Sequence, residues 1–574
     1  MDNASIAAVF EELAELLEFK GENPFRIRAY TQGAKAIRDL DESVAEIVAD
    51  PGRKLVDLDG IGKTLAEKTA TLLQTGKLEQ LEELRDDVPE VLMQMSRIPG
   101  LGAKKAVKLH DELGIESLSD LRTACDEGKV AKLKGFGGKT QDSILQGLAI
   151  AEQAAERVYW AKGDELARSI GDHMEACEAI VKMQWAGSYR RGRETVGDLD
   201  LLVVASNRVS AMDHLEAYPE RTQTIGRGET KLSIRVGKAF QVDMRLVEAH
   251  QFGAALQYFT GSQAHNIRTR RIAKEKGLKI NEYGVFRIAD EAQVAGASEE
   301  DVYAAIGLPW IPPELREDRL EFDGANKGSL PKLLETKDIR GDLHMHTTAT
   351  DGQNTIREMA DEAIRRGLKY IAITDHSQRV SMAMGLDGKR LRDQWKEVDT
   401  VRPEYDGRLV ILKGIECDIL EAGGMDLPDD VLAEADWAIA SIHYGQRQPR
   451  DQITDRILGA LENDHVDCLA HPTGRLINRR PPYDADMDAI LKTAAANKKF
   501  VELNANPARL DLNDLHLIAA KKMGVPIVIS TDAHNTDGFG VLQYGIKQAR
   551  RAGLEKGDVA NAKTAKQFLK LLHR

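Results

Sequence analysis

Asp198 and Asp200 stand one residue apart in GDLDLLVVA, just after a turn, GSYRRGRE, that carries Arg190, Arg191 and Arg193. The run DLDLLVVA has the Leu and Val content of a strand, whose two-residue period puts both aspartates on one face. Carboxylates side by side repel each other unless a cation sits between them, so the pair predicts a divalent-metal site. A third carboxylate comes from KAFQVDMRLV, where Phe240, Val242 and Met244 alternate with Gln241, Asp243 and Arg245, and Asp243 is expected to face the pair. Such a site can activate an attacking oxygen and stabilise the leaving oxygen of an in-line phosphoryl displacement. Gly187 and Ser188 offer N–H groups and a hydroxyl to phosphate oxygens. Arg191 can neutralise a departing pyrophosphate, while Arg190 and Arg193 are expected to face outward.

A second concentration of chemistry follows residue 339. Seven strand-like segments, IRGDLHMHT, KYIAITDH, LVILKGIECD, WAIASIHY, DCLAHP, FVELNA and PIVISTDAH, alternate with helical stretches, which predicts a barrel-like parallel sheet. Six of them bear His, Asp or Glu at or just past the C-terminal end, where barrel active sites assemble. Nine residues of the types that bind metals result: His344, His346, Asp351, His376, Glu416, His443, His471, Asp532 and His534. Their chemistry would be phosphoester hydrolysis, with a metal-activated water attacking phosphorus.

The 574 residues suggest roughly three to five domains. Hydrophobic residues at 42% and charged residues at 30% describe an ordinary globular chain and exclude extended disorder. Cys125, Cys177, Cys417 and Cys468 form no CxxC pair, so a reducing cytosol is expected. MDNASIAAVFEELAELLEFKG reads as an amphipathic helix through Ile6, Val9, Phe10, Leu13, Leu16 and Leu17, without a secretory signal, and no segment is apolar enough to span a membrane. The net charge of -13 conceals a basic run at 263–279, six Lys or Arg against Glu275, which suits either a solvated helix face or nucleic acid.

Residues 1–150 read as mostly helical, with a Gly-apolar-Gly turn three times: at Gly60 and Gly62, Gly100 and Gly102, and Gly135 and Gly137. Each turn is followed by lysine, Lys63 and Lys139 lying beside the first and third, and then by a helical pattern. Unpaired N–H groups at such helix starts can hold backbone phosphates without reading bases. Together the three resemble the helix-hairpin-helix motif of DNA repair and replication proteins.

GSYRRG…GDLD resembles the nucleotidyltransferase palm, and LQYFTGSQAHNIRTRRIAKEKGLKINEYGVF resembles the thumb of family X DNA polymerases, the group of DNA polymerase beta, over residues 1 to about 315. The resemblance adds Gly197 and Gly261 to the nucleotide site and implies that Tyr258 and Phe259 pack against the incoming sugar, although alone they would pass for core aromatics. It also places Asn266 at the base edge and Arg270 near the template. Lys68 falls where lyase-bearing members form a Schiff base, Arg26 and Tyr30 resemble partners of a 5′-phosphate, and Thr64 replaces a basic phosphate ligand.

HMH…TDH…GIE…SIHYG…AHPTG…TDAH resembles the polymerase and histidinol phosphatase (PHP) domain, a distorted seven-stranded barrel with three metals. The resemblance implies His344, His346, Glu416 and Asp532 around one metal, Asp351, Glu416 and His443 around a second, and His376, His471 and His534 around a third. Asp351 stands where other members use histidine, which favours Mn²⁺ there.

The expected architecture is multidomain, α+β and α/β: a helical helix-hairpin-helix region (1–150), palm (151–255), thumb (256–310), a stiff proline-rich linker (311–338) around GLPWIPPELRED, and a distorted (β/α)7 barrel (339–574). The expected function is DNA-directed gap filling in base excision repair, with Mg²⁺ or Mn²⁺ at the polymerase site. The barrel, holding Mn²⁺ or Zn²⁺, would act as a 3′-5′ exonuclease or 3′-end phosphoesterase. Expected partners are gapped or nicked DNA and deoxynucleoside triphosphates, for a cytoplasmic, nucleoid-associated monomer. Rival readings are a template-independent nucleotidyltransferase with a small-molecule phosphatase, or a DNA-binding scaffold with inert sites.

Overall fold

The computed structural model describes residues 3–572 apart from 39–43, 51, 59, 97, 99–100, 143, 146–147, 149–156 and 238–239. The chain forms two compact units, Met1–Arg157 and Val158–Arg574.

The described part of the first unit is helical. Asn3–Phe19 buries Ile6, Phe10, Leu13, Leu16 and Leu17, the face its apolar spacing predicts. Lys63–Thr75 and Ala103–Leu113 each end on a glycine in the left-handed region, Gly76 at φ 72° and Gly114 at φ 63°, where a side chain would be strained.

In the second unit the palm is a five-stranded sheet in the order Ile180–Trp185, Asp198–Ala205, Phe240–Leu246, Lys231–Val236, Arg221–Arg227. The two central strands run parallel, and the helices Trp160–Glu175 and Arg208–Glu216 contribute to the core beneath the sheet. The thumb follows, with helices Phe252–Thr260 and Gln263–Glu275, a three-stranded sheet and the helix Glu299–Ala305. Ser262 caps the second of these helices by accepting from the His265 N–H.

The proline-rich segment does not stand free as a connector. Arg316 is fully buried, donating to Glu299 at 2.6 Å and to the Ile311 carbonyl at 2.8 Å. Glu321 bonds His265 at 2.9 Å and Phe322 stacks on the same imidazole, so residues 311–322 are part of the thumb core. A buried arginine requires such partners, and they fix the segment in place.

The C-terminal region is a parallel sheet of seven strands in sequential order from Gly341–Asp342 to Ile527–Ser530. A parallel bridge between Met345 and Ala533 brings its two edges together into a nearly closed barrel. YIAI, WAIAS and IVIS are buried throughout, as strands covered on both faces must be. At the N-terminal ends Tyr370, Trp437 and Phe500 pack around Phe568, which closes that end. All four cysteines are free and buried, and no described helix is long and apolar enough to cross a membrane.

Candidate active sites

Parallel pairing in the palm sets Asp200 directly beside Asp243, with Asp198 two residues along on the same face. Burial, then Asp198, then Asp243 push the Asp200 carboxyl up to about 7, against the opposing pull of Arg245 and Lys231. Lys231 reaches across from the next strand to Asp243 at 2.7 Å, and Gln241 donates to it at 2.9 Å. Gly187 has φ +64°, and a Cβ there would lie 2.3 Å from an Asp200 oxygen, so only glycine brings the turn this close. Ser188 Oγ is buried without a hydrogen-bond partner, an unmet polar atom at the position expected to receive phosphate. Gly197 leads directly into the aspartate strand.

The arginines divide differently from expectation. Arg193 is exposed, but Arg190 is held inward by two bonds of 2.8 Å to Glu299, because a buried carboxylate demands a bidentate partner. Arg191 is largely buried, donating to Glu317 at 3.2 Å and to the Thr260 carbonyl. Gly261, φ +66°, abuts its guanidinium. Tyr258 and Phe259 are half-buried and meet edge to face at 5.2 Å, with Arg245 over the Phe259 ring. Asn266 is buried and committed to the Tyr258 carbonyl at 2.7 Å and to Gln257 at 2.8 Å, so it braces the aromatic pair. Arg270 is exposed.

In the barrel all nine expected residues converge: His344, His346, Glu416 and Asp532 lie together as the resemblance implied, and the other two groupings are divided differently. Ligand atoms cluster as His346, Asp351, His376 and His534; as His344, His346 and Glu416; and as His376, Glu416 and His443. Asp351 thus joins His376 and His534 instead of Glu416 and His443. His471 bonds Glu416 at 2.9 Å, and Asp532 lies 3.2 Å from His346 and 3.6 Å from His344. His344 Nε2, both His346 ring nitrogens, His376 Nδ1 and one Glu416 oxygen are buried without hydrogen-bond partners. Such orphaned, convergent N and O atoms fit divalent cations. Burial pushes His346 down to about 3, which keeps it neutral as a ligand must be. Asp351 also lies well below the usual carboxylate range, because His376 and His534 outweigh its burial.

Two further carboxylates are not apparent from ligand spacing. Glu502 accepts from His344 Nδ1 at 2.8 Å and from the His471 N–H at 2.7 Å, and Asp418 accepts from His443 Nδ1 at 2.8 Å. Each fixes a tautomer and aims the other ring nitrogen into the cluster. The available signal was a glutamate between Val501 and Leu503 in the buried strand FVELN.

In the first unit Gly60 and Gly62 precede Lys63–Thr75, Gly102 caps Ala103–Leu113, and Gly135 (φ 93°) and Gly137 (φ 131°) precede helical backbone from Gly138. Gly100 lies outside the described residues. Lys68 donates to Gln80 at 2.7 Å, and its amine is lowered by burial and by Arg26, which favours the neutral nucleophile. Arg26 is exposed and pairs with Glu22 at 2.6 Å. Tyr30, expected beside a 5′-phosphate, is instead buried against Phe10, its ring serving the helical core.

Five family models match the chain: a helix-hairpin-helix domain over residues 1–78, a SAM-like helix-hairpin-helix tandem over 90–149, DNA polymerase beta palm over 160–240, DNA polymerase beta thumb over 255–317 and PHP domain over 342–506. The DNA polymerase/3′-5′ exonuclease PolX of Bacillus subtilis (strain 168) is 42% identical over 576 residues, covering 100% of both chains. A probable phosphatase of Thermoanaerobacter sp. (strain X514) is 33% identical over 40% of this chain and 94% of its own. DNA polymerase lambda of Rattus norvegicus is 27% identical over 55% of this chain and 56% of its own.

Proposed function

This chain belongs to the family X DNA polymerases that carry a C-terminal PHP domain, and from that membership we propose that it fills short gaps in duplex DNA during base excision repair. It is a DNA polymerase joined to a 3′-5′ exonuclease. The carrying observation is the pairing of Asp200 with Asp243 beside Asp198, within reach of a turn whose Ser188 hydroxyl has no partner.

Asp198, Asp200 and Asp243 would hold Mg²⁺ or Mn²⁺, which when bound activates the primer 3′ oxygen and stabilises the leaving pyrophosphate. Ser188 donates to a phosphate oxygen and Arg191 offsets phosphate charge. Tyr258 and Phe259 contact the sugar, with Asn266 holding the Tyr258 carbonyl, and Arg270 lies toward the template. In the barrel the nine convergent residues would hold up to three Mn²⁺ or Zn²⁺ ions, while Glu502 and Asp418 keep the imidazoles aimed. The barrel removes nucleotides or blocking groups from 3′ ends. The glycine turns hold DNA backbone, and Lys68 is the amine for an abasic-site lyase. We place the enzyme as a monomer in the nucleoid-bearing cytoplasm.

The test is a gapped-duplex assay with Mg²⁺ and with Mn²⁺. Asp198→Ala should abolish synthesis and leave hydrolysis, and His344→Ala should do the reverse. Loss of both activities in either variant would overturn the two-site assignment.

A further inference from the structure

Helix Leu542–Arg551 of the barrel packs directly against the palm turn expected to hold the nucleotide triphosphate. Gly192 ends that turn with φ +66°, and a Cβ there would lie 2.4 Å from the Lys547 side chain. Lys547 in turn lies over Trp160, which stacks on Tyr189 of the same turn. Glu194, at the turn's exit, takes Arg475 at 2.6 Å and Gln548 at 2.7 Å from the barrel.

The tightest link is Arg551, whose side chain is 1% exposed. One of its nitrogens donates to the Arg191 carbonyl at 3.0 Å and to Glu317 Oε1 at 2.9 Å. A second donates to Asp514 at 2.7 Å. Glu317 Oε1 is the same atom that accepts from Arg191 Nε at 3.2 Å, and Arg193 is 3.9 Å from it. One carboxylate oxygen is therefore shared between the phosphate-facing arginine and an arginine from the hydrolytic domain. If Arg551 were absent, Glu317 would give its charge chiefly to Arg191 and cancel what a triphosphate needs.

We propose that Arg551 of the hydrolytic barrel is a positioning residue of the polymerase: by engaging Glu317 and the Arg191 carbonyl, it orients the Arg191 guanidinium and keeps its charge available to the incoming triphosphate. The proposal rests on the reading of Arg191 as a nucleotide ligand. It makes the barrel a working part of the synthetic site irrespective of hydrolysis.

Full-length variants in single-nucleotide gap filling decide it. Arg551→Met should raise the KM for the deoxynucleotide roughly tenfold, the equivalent of about 1.4 kcal/mol in one charge-assisted contact, with kcat nearly unchanged. Phosphoester hydrolysis should persist, which also reports that the barrel is folded. Adding Glu317→Gln removes the competing charge, so the double variant should recover most of the KM. A KM unaffected by Arg551→Met overturns the proposal, and so does a double variant no better than the single, because lost packing would then explain the defect. Should Arg551→Met lose both activities, Arg551→Lys decides: raised KM with intact hydrolysis supports the proposal, and unchanged KM refutes it. Arg191→Ala without effect on KM would sink the nucleotide-ligand reading itself. Arg191→Ala with raised KM beside a silent Arg551→Met sinks only the link between domains.

Discussion

Glu502→Gln isolates the contribution of a residue that touches no expected substrate. Glu502 is 2% exposed and accepts hydrogen bonds from His344 Nδ1 at 2.8 Å and from the His471 N–H at 2.7 Å, with a longer one from Asn504 at 3.4 Å. A glutamine of the same shape keeps one acceptor and turns an NH2 toward the second donor. One of two metal-ligand candidates then loses its orienting bond, and loss of such an outer partner costs roughly 10- to 100-fold in metal affinity or activity. The facing donors add roughly 1–3 kcal/mol of lost stability. The assay is release of the 3′-terminal nucleotide as a function of Mn²⁺ concentration, with gap filling as the control. The expected result is a hydrolysis curve displaced to higher Mn²⁺ and partly rescued at saturation, with synthesis unchanged. Hydrolysis indistinguishable from wild type at every Mn²⁺ concentration would refute the role given to Glu502.

Glu299 sits well below its ordinary value of 4.5: burial opposes its charge, but Arg316 and Arg190 more than offset it. A folded value below the unfolded one contributes stability that is present above about pH 4.5 and lost as pH falls through the folded value. Glu299→Gln should therefore flatten the acid limb of thermal melts and, by orphaning buried Arg316, cost about 3–5 kcal/mol at neutral pH. Melts that coincide with wild type at pH 7 would refute this. Lys68→Ala should abolish borohydride trapping on an incised abasic duplex while leaving gap filling intact, and undiminished trapping would assign the amine elsewhere.

Where chemistry follows from local periodicity, the sequence alone was enough. The two-residue period placed Asp198 and Asp200 on one face, and Asp243 arrived beside them because its strand alternates in the same way. Most of the barrel ligands were legible because they sit at or just past the ends of short buried strands. Contacts between residues far apart in the chain were not legible. Arg190 is drawn inward by Glu299, 109 positions away, and Glu502 acts on His344 across 158 positions. The grouping of Asp351 with His376 and His534 depends on how three loops meet at the barrel mouth, which strand-end position does not encode. GLPWIPPELRED has the composition of a spacer, yet Arg316 near its end finds a buried carboxylate, and Leu308 and Ile311 join the thumb core with it.

Arg316 is sealed inside the thumb while its neighbours Glu314, Glu317 and Arg319 pair with Arg550, Arg551 and Asp514 of the barrel, so the segment between the two catalytic centres is pinned from both sides. With that segment pinned, the DNA is expected to make the journey: the frayed 3′ strand peels from the palm and re-enters at the barrel mouth. Correction would then be governed by how readily the end melts, and weakly paired termini would be trimmed before stable ones.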